Sequence, residues 1–351
     1  MKKKLKRGAY GLLALLMAVS VAACSKKDND SGSRTLRVGA ADGGPGFIIL
    51  TNKQNYFKDE GVTVDWQNVG DPTTALAAIQ LGNLDVNTVA LVPTLQQIAK
   101  GVDFTIFAGN RSEGGEVITT AENAANFTGL ESFKGKKFAV IHLDTADYNL
   151  RKLLREQGII PGVDVTYTEF PDYVAVQEAL KKGAVDYAVT VTEMARASEK
   201  QGLASVLKVR DLVPSYVCCR QVALTSDIKE HRQEYVNYVK AQIKGYQYLK
   251  ENEDAAITYL AEVKAREKDA IKADLFAEAS AIFNPEPATK KVADFYNLLV
   301  NEGADGFTGT TVDINAHVDS TIFRDAIEEI RKETPNNAVI EALYAEFQKN
   351  N

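Results

Sequence analysis

A match of the chain with itself at a constant offset of 101 residues constrains its fold more than any other sequence feature. The run Gly61-Val62-Thr63-Val64 recurs as Gly162-Val163-Asp164-Val165, and no gap separates it from the other repeated positions. The further pairs are Asp71 and Asp172, Ala78-Ile79 and Ala179-Leu180, Gly82 and Gly183, and Asp85 and Asp186. A fixed period is typical of a duplicated supersecondary unit. The match predicts two copies of one α/β unit, and two similar lobes leave a cleft where a small ligand can bind.

Each copy has the pattern strand, helix, strand, helix, strand with short connections. In the first copy the predicted elements are strands near 36–40, 62–66 and 85–89 and helices over 47–56 and 73–81. In the second copy they are strands near 136–141, 163–170 and 187–190 and helices over 148–157 and 174–182. Such alternation implies parallel pairing. We therefore expect an α/β fold with two lobes, each containing a mixed, mostly parallel sheet, and a cleft between them.

Strand-like segments connect the two copies, and helices follow them. The segments are 104–108 and 117–120 between the copies, and 215–219 and 222–224 after the second copy. From Ser226 onward the chain is almost wholly helical, with helices expected over about 268–283 and 289–301, and the aromatic residues of this block are assigned to the core. The predicted organisation is a first lobe over 35–118, a second lobe over 119–220, and a return to the first lobe over 221–351.

The N-terminus is typical of an exported lipoprotein. Five basic residues precede the apolar run Leu12 to Ala23, so 1–23 is expected to be a signal peptide. The run ends in Val21-Ala22-Ala23-Cys24, which resembles a lipobox, and an ordinary cleavage site with a chance cysteine is the alternative. Residues 24–34 read as a flexible tether. We expect attachment through lipid on Cys24 to the outer face of the cytoplasmic membrane, or a periplasmic lipoprotein.

Charge and residue usage exclude several classes of function. Removal of 1–23 removes five positive charges and takes the formal net charge from −6 to −11, which argues against a nucleic-acid partner. The three histidines have no metal-ligand spacing, and no nucleophile elbow is present. Cys218 and Cys219 are neighbours, which rarely form an unstrained disulfide, and buried structural cysteines are expected. We expect no catalysis, no metal, no cofactor and a monomer.

Several ordered segments resemble the solute-binding proteins of ABC importers, in the nitrate, sulfonate and taurine (SsuA-like, NMT1/THI5-like) family. They are 36–39, 56–62, 78–86, 133–140 and 182–187, and the likeness extends at least from 35 to about 260. The resemblance implies the type II periplasmic-binding-protein fold, in which two lobes close on a ligand and deliver it to membrane permease subunits. The same resemblance includes a pyrimidine synthase, which leaves an enzymatic alternative.

Most candidate ligand residues follow predicted strands, because ligands of open parallel sheets bind beyond the carboxyl ends of the strands. The candidates are Gly43, Gly44, Phe47, Thr73, Ala90, Leu91, Arg111, Asp144, Thr145, Ala146, Thr192, Glu193 and Tyr216. Arg111 and Tyr216 are chosen because they lie near the expected crossings between the lobes. Arg111 could hold a sulfonate or carboxylate, or be a solvated loop residue. Asp144 departs from the family pattern, and could cap a helix or bind an amine or heterocyclic N–H. Tyr216 could close the cleft or pack at the hinge.

These observations predict the receptor subunit of an ABC importer for a small polar organic solute, such as a sulfonate, taurine or nitrate. A pyrimidine or another nitrogenous, thiamine-precursor-like ligand is the alternative for the same fold. A lipid-anchored sensor that signals to a membrane kinase is a second class of function. A pyrimidine-synthase-like enzyme is a third class, and its activity would require the cysteine pair.

Overall fold

The computed structural model describes residues 34–40, 44–69, 71–88, 90–277 and 281–351, which form two mixed sheets. Gly43, Cys24 and the predicted leader lie outside the described residues. The first sheet contains β1 Thr35–Gly39, β2 Thr63–Gln67, β3 Val86–Asn87, β4 Phe104–Ser112, β10 Val217–Leu224 and β11 Ile282–Phe283. The second contains β5 Gly115–Thr120, β6 Lys137–Ile141, β7 Thr166–Phe170, β8 Tyr187–Val191 and β9 Leu203–Lys208.

Helices cover both sheets. The first copy contains α1 Gly46–Lys53, α2 Tyr56–Asp59, α3 Pro72–Gln80 and α4 Leu91–Ala99. The second lobe contains α5 Ala121–Ala125, α6 Thr145–Glu156, α7 Tyr173–Lys181 and α8 Thr192–Glu199. The C-terminal block contains α9 Thr225–Glu230, α10 Arg232–Glu251, α11 Glu253–Val263, α12 Lys268–Leu275, α13 Thr289–Asn301, α14 Thr321–Glu333 and α15 Ala338–Asn350. In the described part of the chain, no helix combines the length and the apolar character needed to cross a bilayer.

The two sheets have matching strand orders, which confirms the predicted α/β architecture. In the first sheet β1 lies between β2 and β3 and is parallel to both, and in the second β6 lies between β7 and β8 in the same way. An antiparallel strand then follows in each: β10 beside β3, and β5 beside β8. The remaining strands are β4 and β11 in the first sheet and β9 in the second.

Repeated aspartates begin equivalent helices in the two halves. Asp71 accepts the N–H of Thr74 at 2.7 Å at the start of α3, and Asp172 accepts the N–H of Ala175 at 2.8 Å at the start of α7. A side-chain oxygen at this position satisfies one of the N–H groups that a helix start leaves unpaired. The two repeated aspartates therefore cap equivalent helices in the two halves.

The ends of these helices also repeat. Gly82 and Gly183 follow α3 and α7 with φ of 68° and 66°, a left-handed conformation that glycine adopts without steric cost. Three residues later, Asp85 accepts a backbone N–H of β1 at 2.7 Å, and Asp186 accepts a backbone N–H of β6 at 2.8 Å. The repeated residues therefore fix the same helix-to-strand turn twice.

The C-terminal helices pack against the first sheet, as the sequence predicts. Leu36 and Val38 of β1 share one buried cluster with Tyr235 and Tyr238 of α10 and Phe323 of α14. Burial of aromatic and aliphatic side chains is the main favourable contribution to folding. This packing braces the first lobe from one side, and leaves the carboxyl ends of its strands facing the second lobe.

The chain crosses between the sheets twice. It leaves the first sheet at Ser112 and enters the second at Gly115, and it returns after Lys208 to rejoin the first sheet at Val217. The predicted boundaries at 118 and 220 therefore fall within β5 and β10. The predicted strands at 215–219 and 222–224 form a single strand, β10.

Two predicted helices were wrong in extent. The helix expected over 47–56 ends at Lys53, and Asn55, with a φ of 61°, separates it from α2. The helix expected over 268–283 ends at Leu275, and Ile282–Phe283 pairs with β4 as an edge strand. Pairing with the distant strand β4 determines the short strand Ile282–Phe283, and the local sequence periodicity does not predict it.

Candidate functional site

A cavity of about 390 Å³ lies between the carboxyl end of the first sheet, the start of α8 in the second lobe, and the segment from α11 to β11. Its volume suits a small organic ligand. The lining residues are Gly44, Pro45, Gly46, Val69, Pro72, Asn87, Thr88, Ala90, Asn110, Arg111, Glu193, Cys219, Leu260, Lys264, Arg266, Ile271, Asp274, Leu275 and Phe283.

The start of α1 forms one wall of this cavity. Pro45 precedes the helix, and its carbonyl accepts the N–H of Ile48 at 3.0 Å. A Cβ atom on Gly46 would lie 3.1 Å from Leu260 of α11, tighter than an ordinary van der Waals contact. The absence of a side chain at Gly46 therefore allows α1 and α11 to meet at the edge of the cavity.

Two asparagines at the strand ends supply polar groups. Asn110 of β4 donates its Nδ2 to the carbonyl of Thr88 at 3.3 Å. Asn87 of β3 is 2% exposed, and its Nδ2 has no hydrogen-bond partner within the described residues. A buried donor without an acceptor costs free energy, so a ligand acceptor at Asn87 is favourable.

Arg111, at the end of β4, provides the main charged contact across the cleft. Its Nη2 lies 3.0 Å from Oε2 of Glu193, which is in the first turn of α8 in the second lobe. The guanidinium also lies over the ring of Phe283, 5.3 Å from its centroid, and its Nε is buried without a partner among the described residues. Arg111 therefore contacts the second lobe and the C-terminal block at once.

Mutual attraction keeps this pair ionised. Burial by itself would raise the pKa of Glu193, but the Arg111 guanidinium, a backbone hydrogen bond and the charge of Arg266 together hold the pKa below its usual value. Burial would likewise lower the pKa of Arg111, and the Glu193 carboxylate raises it instead. An anionic ligand at Arg111 has to compete with a carboxylate that is already in place.

A second ionic cluster closes the opposite wall. Asp274 of α12 accepts from Arg266 and from Arg196 of α8, and Arg196 belongs to the second lobe. Lys264 donates to the carbonyl of Gly44 at 3.3 Å. The cavity lining thus contains three cationic side chains, from Arg111, Lys264 and Arg266, and two carboxylates, from Glu193 and Asp274.

Four predicted ligand residues line this cavity: Gly44, Ala90, Arg111 and Glu193. Gly44 and Ala90 follow β1 and β3, and Arg111 is the next-to-last residue of β4, as expected for groups at the carboxyl ends of strands. Glu193 comes from the other lobe, one residue into α8. The strand-end rule thus brings together residues that are far apart in the sequence.

Three other predicted residues of the first lobe lie away from the cavity. Phe47 and Leu91 are fully buried in the cores under α1 and α4. Thr73 is exposed on α3, where Asp71 supplies the cap. Their sequence neighbours Gly46, Ala90 and Pro72 line the cavity instead.

The predicted residues at the start of α6 serve the helix. Asp144 accepts the N–H of Asp147 at 2.9 Å, and Tyr173 donates its hydroxyl to Asp144 at 3.2 Å. Thr145 and Ala146 are buried in the first turn of the helix. Burial raises the pKa of Asp144 in spite of these hydrogen bonds. Asp144 therefore has the geometry of a helix cap.

The last two predicted residues lie at the crossings between lobes. The Tyr216 hydroxyl accepts the N–H of Gly115 at 2.6 Å, and its carbonyl accepts the N–H of Glu113 at 2.9 Å. The N–H of Thr192 donates to the carbonyl of Gly114 at 2.9 Å. Tyr216 is 5% exposed and ties the two crossing segments together, which is the geometry of hinge packing.

The wall of the cavity between residues 260 and 275, together with Phe283, was not predicted from the sequence. Its apolar members are Leu260, Ile271, Leu275 and Phe283. Aromatic and aliphatic residues in a helical block have the pattern of core positions, so the sequence gives no local sign of the cavity. Asn110 is a missed residue with a usable signal, because it follows the predicted strand 104–108.

No metal-binding cluster is found within the described residues. His142 pairs with Glu169 on the surface of the second lobe, and His317 contacts the carbonyl of Phe104. Neither histidine lines the cavity.

Comparison with known sequences identifies related proteins. A family model described as NMT1/THI5 like matches residues 46–256. A Bacillus subtilis (strain 168) protein named "Putative aliphatic sulfonates-binding protein" is 23% identical over 340 residues, covering 93% of this chain and 98% of that protein. The 4-amino-5-hydroxymethyl-2-methylpyrimidine phosphate synthase of Candida albicans (strain WO-1) is 23% identical over 221 residues, covering 58% of this chain and 62% of that enzyme.

Solved structures share the fold. The ligand-binding component of an ABC-type import system from Staphylococcus aureus has a TM-score of 0.69 at 13% identity, over 84% of this chain and 99% of that chain. The periplasmic aliphatic sulphonate-binding protein SsuA from Escherichia coli has a TM-score of 0.69 at 16% identity, over 82% of this chain and 92% of that chain. These likenesses confirm the predicted periplasmic-binding-protein fold with two lobes.

Proposed function

Because the chain belongs to the NMT1/THI5-like family, we propose that it is the solute-binding receptor of an ABC importer. It captures a small polar organic anion, such as a sulfonate, between its lobes and delivers it to permease subunits in the membrane. The observation that carries the proposal is the cavity bounded by both lobes, with Arg111 and Glu193 in contact across it. The sulfonate-binding relative that spans nearly the whole chain supports the solute class.

The cavity chemistry favours an anion with several acceptor oxygens. Three cationic side chains and two carboxylates line the cavity. Nδ2 of Asn87 and Nε of Arg111 are donors that no described residue satisfies. A sulfonate offers three acceptor oxygens, and a guanidinium binds such groups through parallel, charge-assisted hydrogen bonds. The apolar wall at Leu260, Ile271 and Phe283 accommodates the carbon chain of the solute.

Three interlobe ion pairs suit a receptor that opens and closes. They join Arg111 to Glu193, Arg196 to Asp274, and Arg155 of α6 to Glu302. The described conformation is therefore closed, and the solute enters when these pairs separate. A ligand that contacts both lobes only in the closed form shifts the population toward it, and the closed form docks on the permease.

The protein acts outside the cytoplasm, as the periplasmic relatives of known structure do. Its expected anchor is lipid on Cys24, preceded by the signal peptide at 1–23 and followed by the tether at 24–34. In this arrangement a monomer is tethered beside the permease and needs no catalytic group.

A pyrimidine ligand is the second candidate, because one relative is a pyrimidine phosphate synthase. A pyrimidine ring offers ring nitrogens to Asn87 and Arg111 and carries no formal charge. A synthase-like activity would in addition require turnover that the double change Cys218→Ser, Cys219→Ser abolishes.

Isothermal titration with an alkanesulfonate, taurine, nitrate and a 2-methyl-4-aminopyrimidine tests the proposal. We expect heat at one site per chain with a sulfonate, and none with the pyrimidine. Arg111→Gln should weaken binding about ten- to hundredfold, because it removes charge-assisted hydrogen bonds to the solute. Arg331→Gln, which removes a similar pair with Glu341 outside the cavity, is the control and should bind normally. No heat with any solute, or conversion of one, would contradict the receptor function.

A further inference from the structure

Two neighbouring thiols lie at the wall of the interlobe cavity. The Sγ atoms of Cys218 and Cys219 are 3.2 Å apart, and Cys219 lines the cavity. Both residues are partly exposed. In a regular strand, successive side chains point to opposite faces, so the sulfurs of neighbours would not meet. The close approach of these two sulfurs requires a local break in β10.

The strand has such a break at this position. The register of β10 against β4 shifts between Val217 and Cys219, and again between Cys219 and Arg220. Arg220 holds the irregular backbone, because its Nη1 donates to the carbonyl of Cys219 at 2.7 Å and to the carbonyl of Arg111 at 2.8 Å. Bulges turn side chains in new directions and recur beside functional sites. This one brings both thiols to the same side of the strand.

The surroundings favour a thiolate at one of the two sulfurs. Cys219 pairs with Arg111 in the ladder between β10 and β4. The hydrogen bond from the Cys218 thiol lowers the pKa of Cys219, and the Arg111 guanidinium lowers it further against the effect of burial. The hydrogen bond that Cys218 donates raises the pKa of Cys218, and burial raises it further. The Cys219 sulfur is thus the nucleophile, and the Cys218 sulfur keeps its proton.

We propose that Cys218 and Cys219 form a redox-responsive dithiol, which a low-molecular-weight disulfide such as glutathione disulfide oxidises to a Cys218–Cys219 disulfide at the cavity wall. The Cys219 thiolate attacks one sulfur of the oxidant and expels one glutathione thiolate. The Cys218 sulfur then attacks the Cys219 sulfur of the mixed disulfide and expels the second. Two electrons pass to the oxidant, and the two cysteine protons end on the two glutathione thiols.

Closure of this bond changes the cavity. A disulfide brings the sulfurs to about 2.05 Å, so both side chains and the bulged backbone must shift. The thiol of Cys219, a residue that pairs with Arg111 in the ladder between β10 and β4, is consumed in the same step. This consequence for solute binding rests on the proposed function, whereas formation of the bond does not. We expect oxidation to change the solute affinity by about tenfold, as for a misplaced buried hydrogen bond.

Mass spectrometry after thiol trapping tests the bond itself. The full chain with Cys24→Ser is equilibrated with glutathione and its disulfide at graded ratios and then alkylated. We expect the oxidised protein to lose two hydrogen atoms and to take up no alkyl group. Cys218→Ser and Cys219→Ser, made singly, should instead retain a glutathione adduct. Two alkylatable thiols at every ratio, or accumulation of a mixed disulfide in the parent, would overturn the proposal.

Titration of the oxidised and reduced forms with a sulfonate tests the effect on binding. The affinity of the parent should differ between the two forms, and that of the double variant Cys218→Ser, Cys219→Ser should not respond to the oxidant. If the disulfide has formed in the parent and the oxidised and reduced forms bind the sulfonate with equal affinity, the redox response is overturned. An absence of solute binding in both forms, with the bond present, would contradict the proposed receptor function and leave the disulfide established.

Discussion

Arg111 of β4 and Glu193 of α8 face each other across the cleft, with Nη2 and Oε2 3.0 Å apart. The contact joins the last residues of a strand in one lobe to the first turn of a helix in the other. Glu193 occupies the guanidinium face that an anionic solute would use. The same carboxylate therefore links the two lobes and, in the proposed receptor, would compete with an anionic solute.

This competition leads to a prediction for Glu193→Gln. The amide keeps the size of the side chain and removes its charge, so Arg111 is no longer neutralised. Sulfonate affinity should rise by about five- to tenfold, consistent with a partly buried charge pair. Isothermal titration measures the effect, and Glu341→Gln, outside the cavity, is the matched control. Weaker binding in Glu193→Gln would contradict this competition.

Loss of the second interlobe pair should open the unliganded protein. Arg196 bonds to Asp274 from the opposite lobe, so Arg196→Gln removes a contact that only the closed form makes. Small-angle scattering should give a larger radius of gyration for the unliganded variant, and the parent should approach the same value in high salt, which screens ion pairs. Arg324→Gln, which breaks a pair within α14, should leave the radius unchanged. Identical radii for parent and Arg196→Gln would contradict an ionic latch.

The two repeated caps should contribute similar stability. Asp71→Ala and Asp172→Ala each remove an oxygen that accepts a helix N–H, at a cost of about 1 kcal/mol in the free energy of unfolding. Urea unfolding measures each variant, and Thr73→Ala, exposed on the same helix as Asp71, should change stability by less than about 0.5 kcal/mol. Unaltered stability in either aspartate variant would mean that its cap is not formed in solution.

Several features of the fold and of the candidate site could be predicted from the sequence. Asp71, Asp172, Gly82 and Gly183 act within a few residues of themselves, so the starts and ends of both helices follow from the local pattern. Arg111, Glu193, Gly44 and Ala90 were predicted because the carboxyl ends of parallel strands share one edge. The contact between Arg111 and Glu193 also depends on closure of the lobes.

Other features depend on contacts that no local pattern encodes. The wall at 260–283 reaches the cavity only because α11 and α12 pack beside α1. Phe47 has the same strand-end position as Gly44, but its helix turns it into the core. The bulge that joins Cys218 to Cys219 follows from the register between β10 and β4. Such features are set by long-range packing.

A buried carboxyl in α6 predicts a pH dependence of stability. Burial raises the pKa of Asp147 to about 6, although Arg151 lies 2.6 Å away. The pKa in an unfolded chain is about 3.9, so between these values the folded state binds more protons than the unfolded state. This carboxyl therefore makes the free energy of unfolding fall as the pH rises from about 4 to about 6.

Asp147→Asn should make that slope shallower, as urea unfolding at several pH values would measure. Part of the slope should remain, because burial also raises the pKa of Asp144 and Glu346. Asp71→Asn is the control, since hydrogen bonds from Thr74 hold the pKa of Asp71 below its usual value and its carboxyl stays ionised in this range. A slope in Asp147→Asn equal to that of the parent would show that Asp147 is ionised throughout.

A crystal structure of the protein grown with the sulfonate that binds best tests the receptor function most directly. We expect the sulfonate oxygens at Arg111 and Asn87, the carbon chain against Leu260 and Phe283, and both lobes in contact with the solute. Occupancy of a different surface, or a bound solute that touches one lobe only, would contradict it.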